Sequence, residues 1–129
     1  MEASDLAEFE AETATPLHVR YRGYDVYGVG LPTQSPVMLE ALKILEGFDR
    51  VDMRHNSADY IHYVVEALKL AFADRDAYIG DPRFVKDVPI DTLLSDRHGA
   101  RRRALIRKHR AIDGVAPPGL QASTSPLCA

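Results

Sequence analysis

One stretch, Ser57 to Ile79, sets the terms on which this chain can fold. Ser57 is a favourable N-cap, and Asp59 in the first turn complements the helix dipole. Ile61, Val64, Val65, Leu68, Ala71 and Phe72 then recur at helical spacing, and Gly80-Asp81-Pro82 closes the run. A helix with one apolar stripe is weakly stable in isolation and needs a partner surface. Full burial of each large member would contribute about 1.5–3 kcal/mol. The stripe is therefore expected to be the stability centre, with Leu68 and Phe72 inside the core.

The rest of the chain offers the partners. Leu17 to Tyr21 and Tyr24 to Tyr27 are rich in β-branched and aromatic residues and flank Arg22-Gly23, which reads as a hairpin with Leu17, Val19 and Tyr21 on one face. Ser35-Pro36 reads as N-cap and first helical residue of a second helix carrying Met38, Ala41, Leu42, Leu45 and Phe48, with Gly47 near its end. Asp5 with Glu8 resembles a capping box for a short acidic helix to about Glu12, stopped by Pro16. Residues 88–94 read as irregular with one short turn. Ser95-Asp96 caps a basic helix to about Ile112. From Gly114 onward Gly, Pro, Ser and Thr dominate without periodicity, so 113–129 is expected to be a disordered tail. The fold class is α+β, mostly helical with one β-hairpin.

Composition excludes several functions. The 129 residues are 46% apolar and 27% charged, which excludes collagen-like and disulfide-scaffold chains. The lone cysteine, Cys128, cannot form an internal disulfide and reads as an inert terminal thiol. No apolar run approaches the roughly 18–20 residues that span a membrane. The N-terminal Met1-Glu-Ala-Ser-Asp5 lacks the apolar centre of a signal peptide.

Candidate chemistry is sparse. His55 and His62 flank the start of the long helix, seven residues apart with no cysteine near, and His62 with Asp59 or Glu66 is a pairing that helical surfaces produce often. Asp74-Arg75-Asp76 with Asp81 could do acid/base work, but reads better as a helix end in which Arg75 ties down the loop through Asp81. Gly28-Val-Gly30 lacks the third glycine of a dinucleotide loop. Charge is unevenly spread: 9 Lys and Arg face 18 Asp and Glu over 1–96, a balance of −9, and 7 face 1 over 97–129, a balance of +6. All seven cations lie between Arg97 and Arg110, without an aromatic to stack on bases. They read as a helix lying on acidic surface of its own domain, with Leu105 and Ile106 turned inward, ahead of a nucleic-acid site.

The order of several motifs adds to this. Asp5-Leu-Ala-Glu8, Tyr21-Arg-Gly-Tyr-Asp-Val-Tyr27, Pro32-Thr-Gln-Ser-Pro36, Leu45-Glu-Gly-Phe-Asp49, His55-Asn-Ser-Ala-Asp-Tyr-Ile-His62, Glu66 to Asp76, Gly80-Asp-Pro-Arg-Phe-Val85 and the arginine-rich helix together resemble the γ-glutamyltransferase family, over about residues 4–112. The resemblance implies an N-terminal-nucleophile hydrolase with an αββα sandwich, made as a precursor that cuts itself into large and small subunits. A threonine freed at the small subunit's N-terminus is then the nucleophile and its α-amine the base. The reaction passes a γ-glutamyl group from a glutathione-like amide to water or an amino acid, and some relatives act on other amides, cephalosporin side chains among them.

This chain looks like the last part of such a large subunit, residues 1–112, followed by the tail. Thr124 precedes Ser125-Pro126 and no strand, so the nucleophile is not carried over to it. No catalytic, cofactor-binding or metal residue is assigned, and the fragment alone is expected to be inactive scaffold. Its expected partners are the remaining large- and small-subunit segments, with no membrane partner. The family setting is periplasmic or cytoplasmic. The competing readings are a stand-alone helical interaction module and a small basic-helix nucleic-acid binder. One departure is local: the family usually has glycine where this chain has Ser35, which would strain a serine if φ were positive there.

Overall fold

The computed structural model describes residues 2–8, 13–31, 33–49 and 54–120. In chain order these form α1 (Ala3–Ala7), β1 (Leu17–Tyr21), β2 (Tyr24–Gly28), α2 (Ser35–Leu45), α3 (Ala58–Tyr78), α4 (Ile90–Leu93) and α5 (Asp96–Arg103). The α+β class with a single hairpin is the one expected from sequence.

β1 and β2 pair antiparallel, with Leu17 opposite Gly28 and Tyr21 opposite Tyr24. Arg22 and Gly23 take φ of 50° and 89°, the left-handed pair of a hairpin turn whose twist matches the strands. Arg22 is held in this conformation from outside: its backbone N–H donates to Glu46 Oε1 at 3.0 Å and its guanidinium to the Phe48 carbonyl at 3.2 Å. Leu17, Val19 and Tyr21 form the inward face as the alternation required, with Val19 buried.

α2 begins at Ser35, one residue earlier than Ser35 as N-cap would give; Gln34 caps it without a side-chain bond, and Pro36 lies in the first turn. Ser35 is not among the positive-φ residues, so the serine-for-glycine departure carries no backbone strain. At its other end Arg103 Nη1 donates to the Ile44 carbonyl at 3.2 Å. A basic side chain from α5 thus satisfies an acceptor left open where α2 ends.

α3 is capped as read: Ser57 accepts from the Tyr60 N–H at 3.1 Å. Its inward face is not the expected one. The buried residues are Tyr63, Glu66, Ala67, Leu70, Ala71, Ala73 and Asp74, whereas Ile61, Val65 and Phe72 are each about half exposed. Small alanines let α2 and the 111–120 segment approach closely, and that approach rotates the core face away from the bulkier stripe. The main core gathers Ile44, Leu45, Tyr63, Ala67, Leu70, Ala73 and Ala116, with Phe48 stacked on Tyr63 at 4.3 Å. A smaller cluster joins Val37, Ala41 and Ala71, flanked by Leu68.

Two further boundaries differ from expectation. α1 starts at Ala3, so position 5 lies within the helix and not at its N-terminus; residues 9–12 lie outside the described residues. α5 stops at Arg103, well short of Ile112, because the chain turns at Ala104-Leu105 and makes a tight turn bridged between Arg107 and Arg110. Ile106 packs on the core, but Leu105 is 46% exposed. No described helix is long and apolar enough to cross a membrane.

Candidate functional site

The residues singled out from sequence are scattered. His62 Nε2–H donates to the Arg107 carbonyl at 2.8 Å, while Asp59 faces Lys108 at 3.6 Å. Glu66 accepts the Ile112 N–H at 2.7 Å and pairs with Lys69 at 3.1 Å. His55 is exposed, with its ring 5.9 Å from Tyr60. Arg75 does not tie down the loop through Asp81: it pairs with Asp76 at 2.7 Å, and Asp81 pairs with Arg83 at 2.5 Å. The Arg83 side chain and N–H hold the partly buried Asp81 carboxyl low, at about 2. The Gly28-Val-Gly30 stretch ends the hairpin. Thr124 and Cys128 lie outside the described residues.

Asp74 instead enters a cluster that sequence reading missed. It is fully buried, with Glu40 of α2 and His98 and Arg102 of α5 no more than 2% exposed beside it. His98 Nε2 lies 2.9 Å from Asp74 Oδ2 and 3.3 Å from Glu40 Oε1. Arg102 Nε lies 3.0 Å from Asp74 Oδ2 as a charge contact outside hydrogen-bond geometry, while its terminal nitrogens donate to the carbonyls of Pro117 and Leu70, each at 2.8 Å. Asp74 Oδ1 accepts the Gly119 N–H.

Burial opposes charge on all three titrating members, and the partners decide the outcome. At Glu40 burial wins and lifts the carboxyl to about 8. At His98 burial is outweighed by hydrogen bonds to Asp74 and Glu40, so the imidazole is held protonated up to about 9. At Asp74 the burial penalty is outweighed by His98, Glu40, the Gly119 N–H and the Arg102 charge, and the carboxyl stays below its usual range. His98 Nδ1 is buried without a hydrogen-bond partner among the described residues, a cost that the imidazolium's other contacts must exceed.

Ligand atoms of Glu40, Asp74 and His98 lie within 4.8 Å of one another, a spacing a metal ion could use. The charge around them argues otherwise. Arg102 already lies against Asp74, and a metal would have to displace the His98 proton that holds Asp74 and Glu40 together. The His98 imidazolium supplies positive charge between the two acids.

Beside this cluster, Lys43 Nζ bonds Glu46 Oε2 and Asp96 Oδ1, each at 2.5 Å, and the Arg20 carbonyl at 3.0 Å. Burial works to lower its pKa, but the two carboxylates outweigh it and raise it. The node ties β1, α2 and α5 together. An apolar groove of about 540 Å³ runs between α2 and α3, walled by Met38, Leu42, Tyr60, Val64, Leu68 and Phe72. It contains no convergent set of catalytic groups.

Comparison with known proteins places this geometry. The chain matches the family described as gamma-glutamyltranspeptidase over residues 1–124. It is 40% identical over 112 residues to the Acylase ACY 1 proenzyme of Pseudomonas sp. strain SE83, covering 86% of this chain and 20% of that protein. It is 43% identical over 92 residues to the glutathione hydrolase proenzyme of Escherichia coli K12, covering 70% of this chain and 16% of that one. The solved γ-glutamyltranspeptidase of Pseudomonas nitroreducens superposes with a TM-score of 0.77 at 31% identity, over 94% of this chain and 37% of that one. A cephalosporin acylase from Bacillus halodurans superposes at 0.69 and 36% identity, over 81% and 19%. The chain spans about a fifth of the length of the curated relatives it matches.

Proposed function

Since the chain belongs to the γ-glutamyltranspeptidase family, we propose that it is a structural part of an amide-acyl-transferring enzyme that hydrolyses or transfers γ-glutamyl groups through a threonine acyl-enzyme. Within the N-terminal-nucleophile hydrolase fold it supplies scaffold. The observation that carries this reading is the family match across nearly the whole chain beside coverage of only about a fifth of the relatives' length.

The surface is consistent with a part. The groove between α2 and α3 and the half-exposed Met38, Ile61, Val65 and Phe72 beside it are the open side of a core. Its occupant in this reading is the remainder of the parent enzyme's large and small subunits. The clusters among the described residues present no nucleophile beside a base, as acyl transfer requires.

The expected outcome in a γ-glutamyl anilide assay is no turnover by this chain alone, and unchanged background in Thr124→Ala. Turnover that survives Thr124→Ala and disappears with Asp74→Ala would move the chemistry into the buried cluster and overturn the scaffold reading. The acylase relatives give the parent's substrate range its second candidate, a cephalosporin side-chain amide, which the same assay reads with a chromogenic acyl amide.

A further inference from the structure

Residues 111–120 contain Gly114, Pro117, Pro118 and Gly119 and lack any apolar period, yet they follow a fixed course over α3 and α5. Ile112 is held at both backbone groups, its N–H by Glu66 and its carbonyl by Lys69. Ala116 is 4% exposed in the main core. The Pro117 carbonyl takes the Arg102 guanidinium, the Gly119 carbonyl takes Arg101 Nη2 at 2.9 Å, and the Gly119 N–H enters Asp74. Tyr78 Oη donates to the Leu120 carbonyl and accepts its N–H. Gly119 also has no room for a side chain: a Cβ would lie 2.6 Å from His98 Cε1 and 2.7 Å from Arg102 Cδ.

We propose that the buried Glu40–Asp74–His98–Arg102 cluster is a charge-dependent latch that seats residues 116–120 on α3 and α5. A segment of this composition has no intrinsic reason to be ordered, so its order comes from the groups that grip it. Three of those groups are the cluster itself: Asp74 and Arg102 bond the segment directly, and His98 holds Asp74 while lying against Gly119. The latch is bistable in charge. With His98 protonated, its imidazolium reaches both Asp74 and Glu40 while Arg102 lies against Asp74, all in low-dielectric surroundings. When His98 loses its proton, Arg102 alone faces Asp74, no cation faces Glu40, and the Asp74 carboxylate is left beside Glu40.

The charged groups facing His98 come from each element packed against it. α2 brings Glu40, with Lys43 a turn away and tied to Glu46 and Asp96. α3 brings Asp74, with Tyr78 beyond it at Leu120. α5 brings Arg102 and Arg101. Residues 116–120 bring only backbone groups. The raised His98 value of about 9 sets the pH at which the latch opens.

Amide hydrogen exchange by NMR on the full chain tests this, with protection referenced to the free-chain rate at each pH. Gly119 and Leu120 amides are expected to be protected at pH 6 and to lose protection as pH passes about 9, while Ala67 and Leu70 in α3 keep theirs. Asp74→Asn and Gly119→Ala are each expected to lower protection of the Leu120 amide and of the amide at position 119 by roughly ten- to a hundredfold, again sparing α3. Should Asp74→Asn fail to fold, Gly119→Ala and the pH series decide. Segment protection that is absent at pH 6, or flat in pH and unchanged by Gly119→Ala, overturns the latch. So does a Gly119→Ala loss that runs equally through Ala67 and Leu70, which would make the cluster a general core support.

Discussion

Asp74 shows how much one side chain can hold. Its two oxygens serve His98, Arg102 and the Gly119 N–H with no exposed surface. Removing one partner of a buried ion pair leaves the other charges uncompensated, so Asp74→Ala should cost about 3–5 kcal/mol of folding free energy, read from denaturant midpoints. The same cluster fixes a pH dependence whose sign can be worked out. His98 is raised to about 9 in the fold, so its contribution is whole below its ordinary value near 6.5 and is lost as pH climbs through 9. Glu40 is raised to about 8, so ionising it costs folding free energy progressively from about 4.5 to 8, in the same direction. Asp74 is lowered, so its contribution holds above its ordinary value near 3.8 and is lost as pH falls beneath it. The stability contributed by these three groups should therefore be greatest between the ordinary values of Asp74 and Glu40, about 3.8 to 4.5, and decline from there toward pH 9. Glu40→Gln, which mimics the protonated acid, should make that decline shallower; an unchanged slope would mean the protons belong elsewhere.

At the scale of the element, α3 separates what is legible in sequence from what is not. Its cap at Ser57, its length and its end before Gly80 are all readable, because capping chemistry and breakers are local. Its inward face is not, because hydrophobic bulk points to Ile61, Val65 and Phe72, while the partners that decide burial come from distant parts of the chain. A signal is present all the same. Val37, Glu40, Ala41 and Ile44 follow i, i+3, i+4, i+7 spacing, as do Tyr63, Glu66, Ala67 and Leu70, and then Ala67, Leu70, Ala71 and Asp74. Acids standing inside an apolar period are candidates for a buried charge network, and Glu40, Glu66 and Asp74 are each of this kind. His98 and Arg102 give less, since α5 looks uniformly basic. The expectation for core substitutions changes accordingly. Leu70→Ala, at a fully buried position, should cost about 2–5 kcal/mol, whereas Phe72→Ala, 45% exposed, should cost clearly less. Equal shifts in the two midpoints would restore the bulkier stripe as the core face.

For the whole molecule, several of the seven cations between Arg97 and Arg110 are engaged within the fold. Arg102 is buried, Arg103 caps α2, Arg101 holds Gly119 and Arg110 pairs with Asp113 at 3.1 Å. Arginines engaged in this way favour weak, salt-sensitive attraction to DNA over a dedicated site. What the fold does not consume is the apolar side of α2 and α3, where Met38, Ile61, Val65 and Phe72 stay 44–52% exposed next to the groove. Contiguous apolar surface of this kind marks an interaction face or an aggregation liability, and in a part of a larger enzyme it is the face the remainder covers. The isolated chain should then bind an apolar fluorescent dye and self-associate with rising concentration. Val65→Gln with Phe72→Gln should reduce both, and should move the denaturant midpoint by only about 0.5 kcal/mol per site, as for surface substitutions. Losses of core size at these two positions, with dye binding unchanged, would show that the groove is filled by the chain's own side chains in solution and that the open face belongs elsewhere.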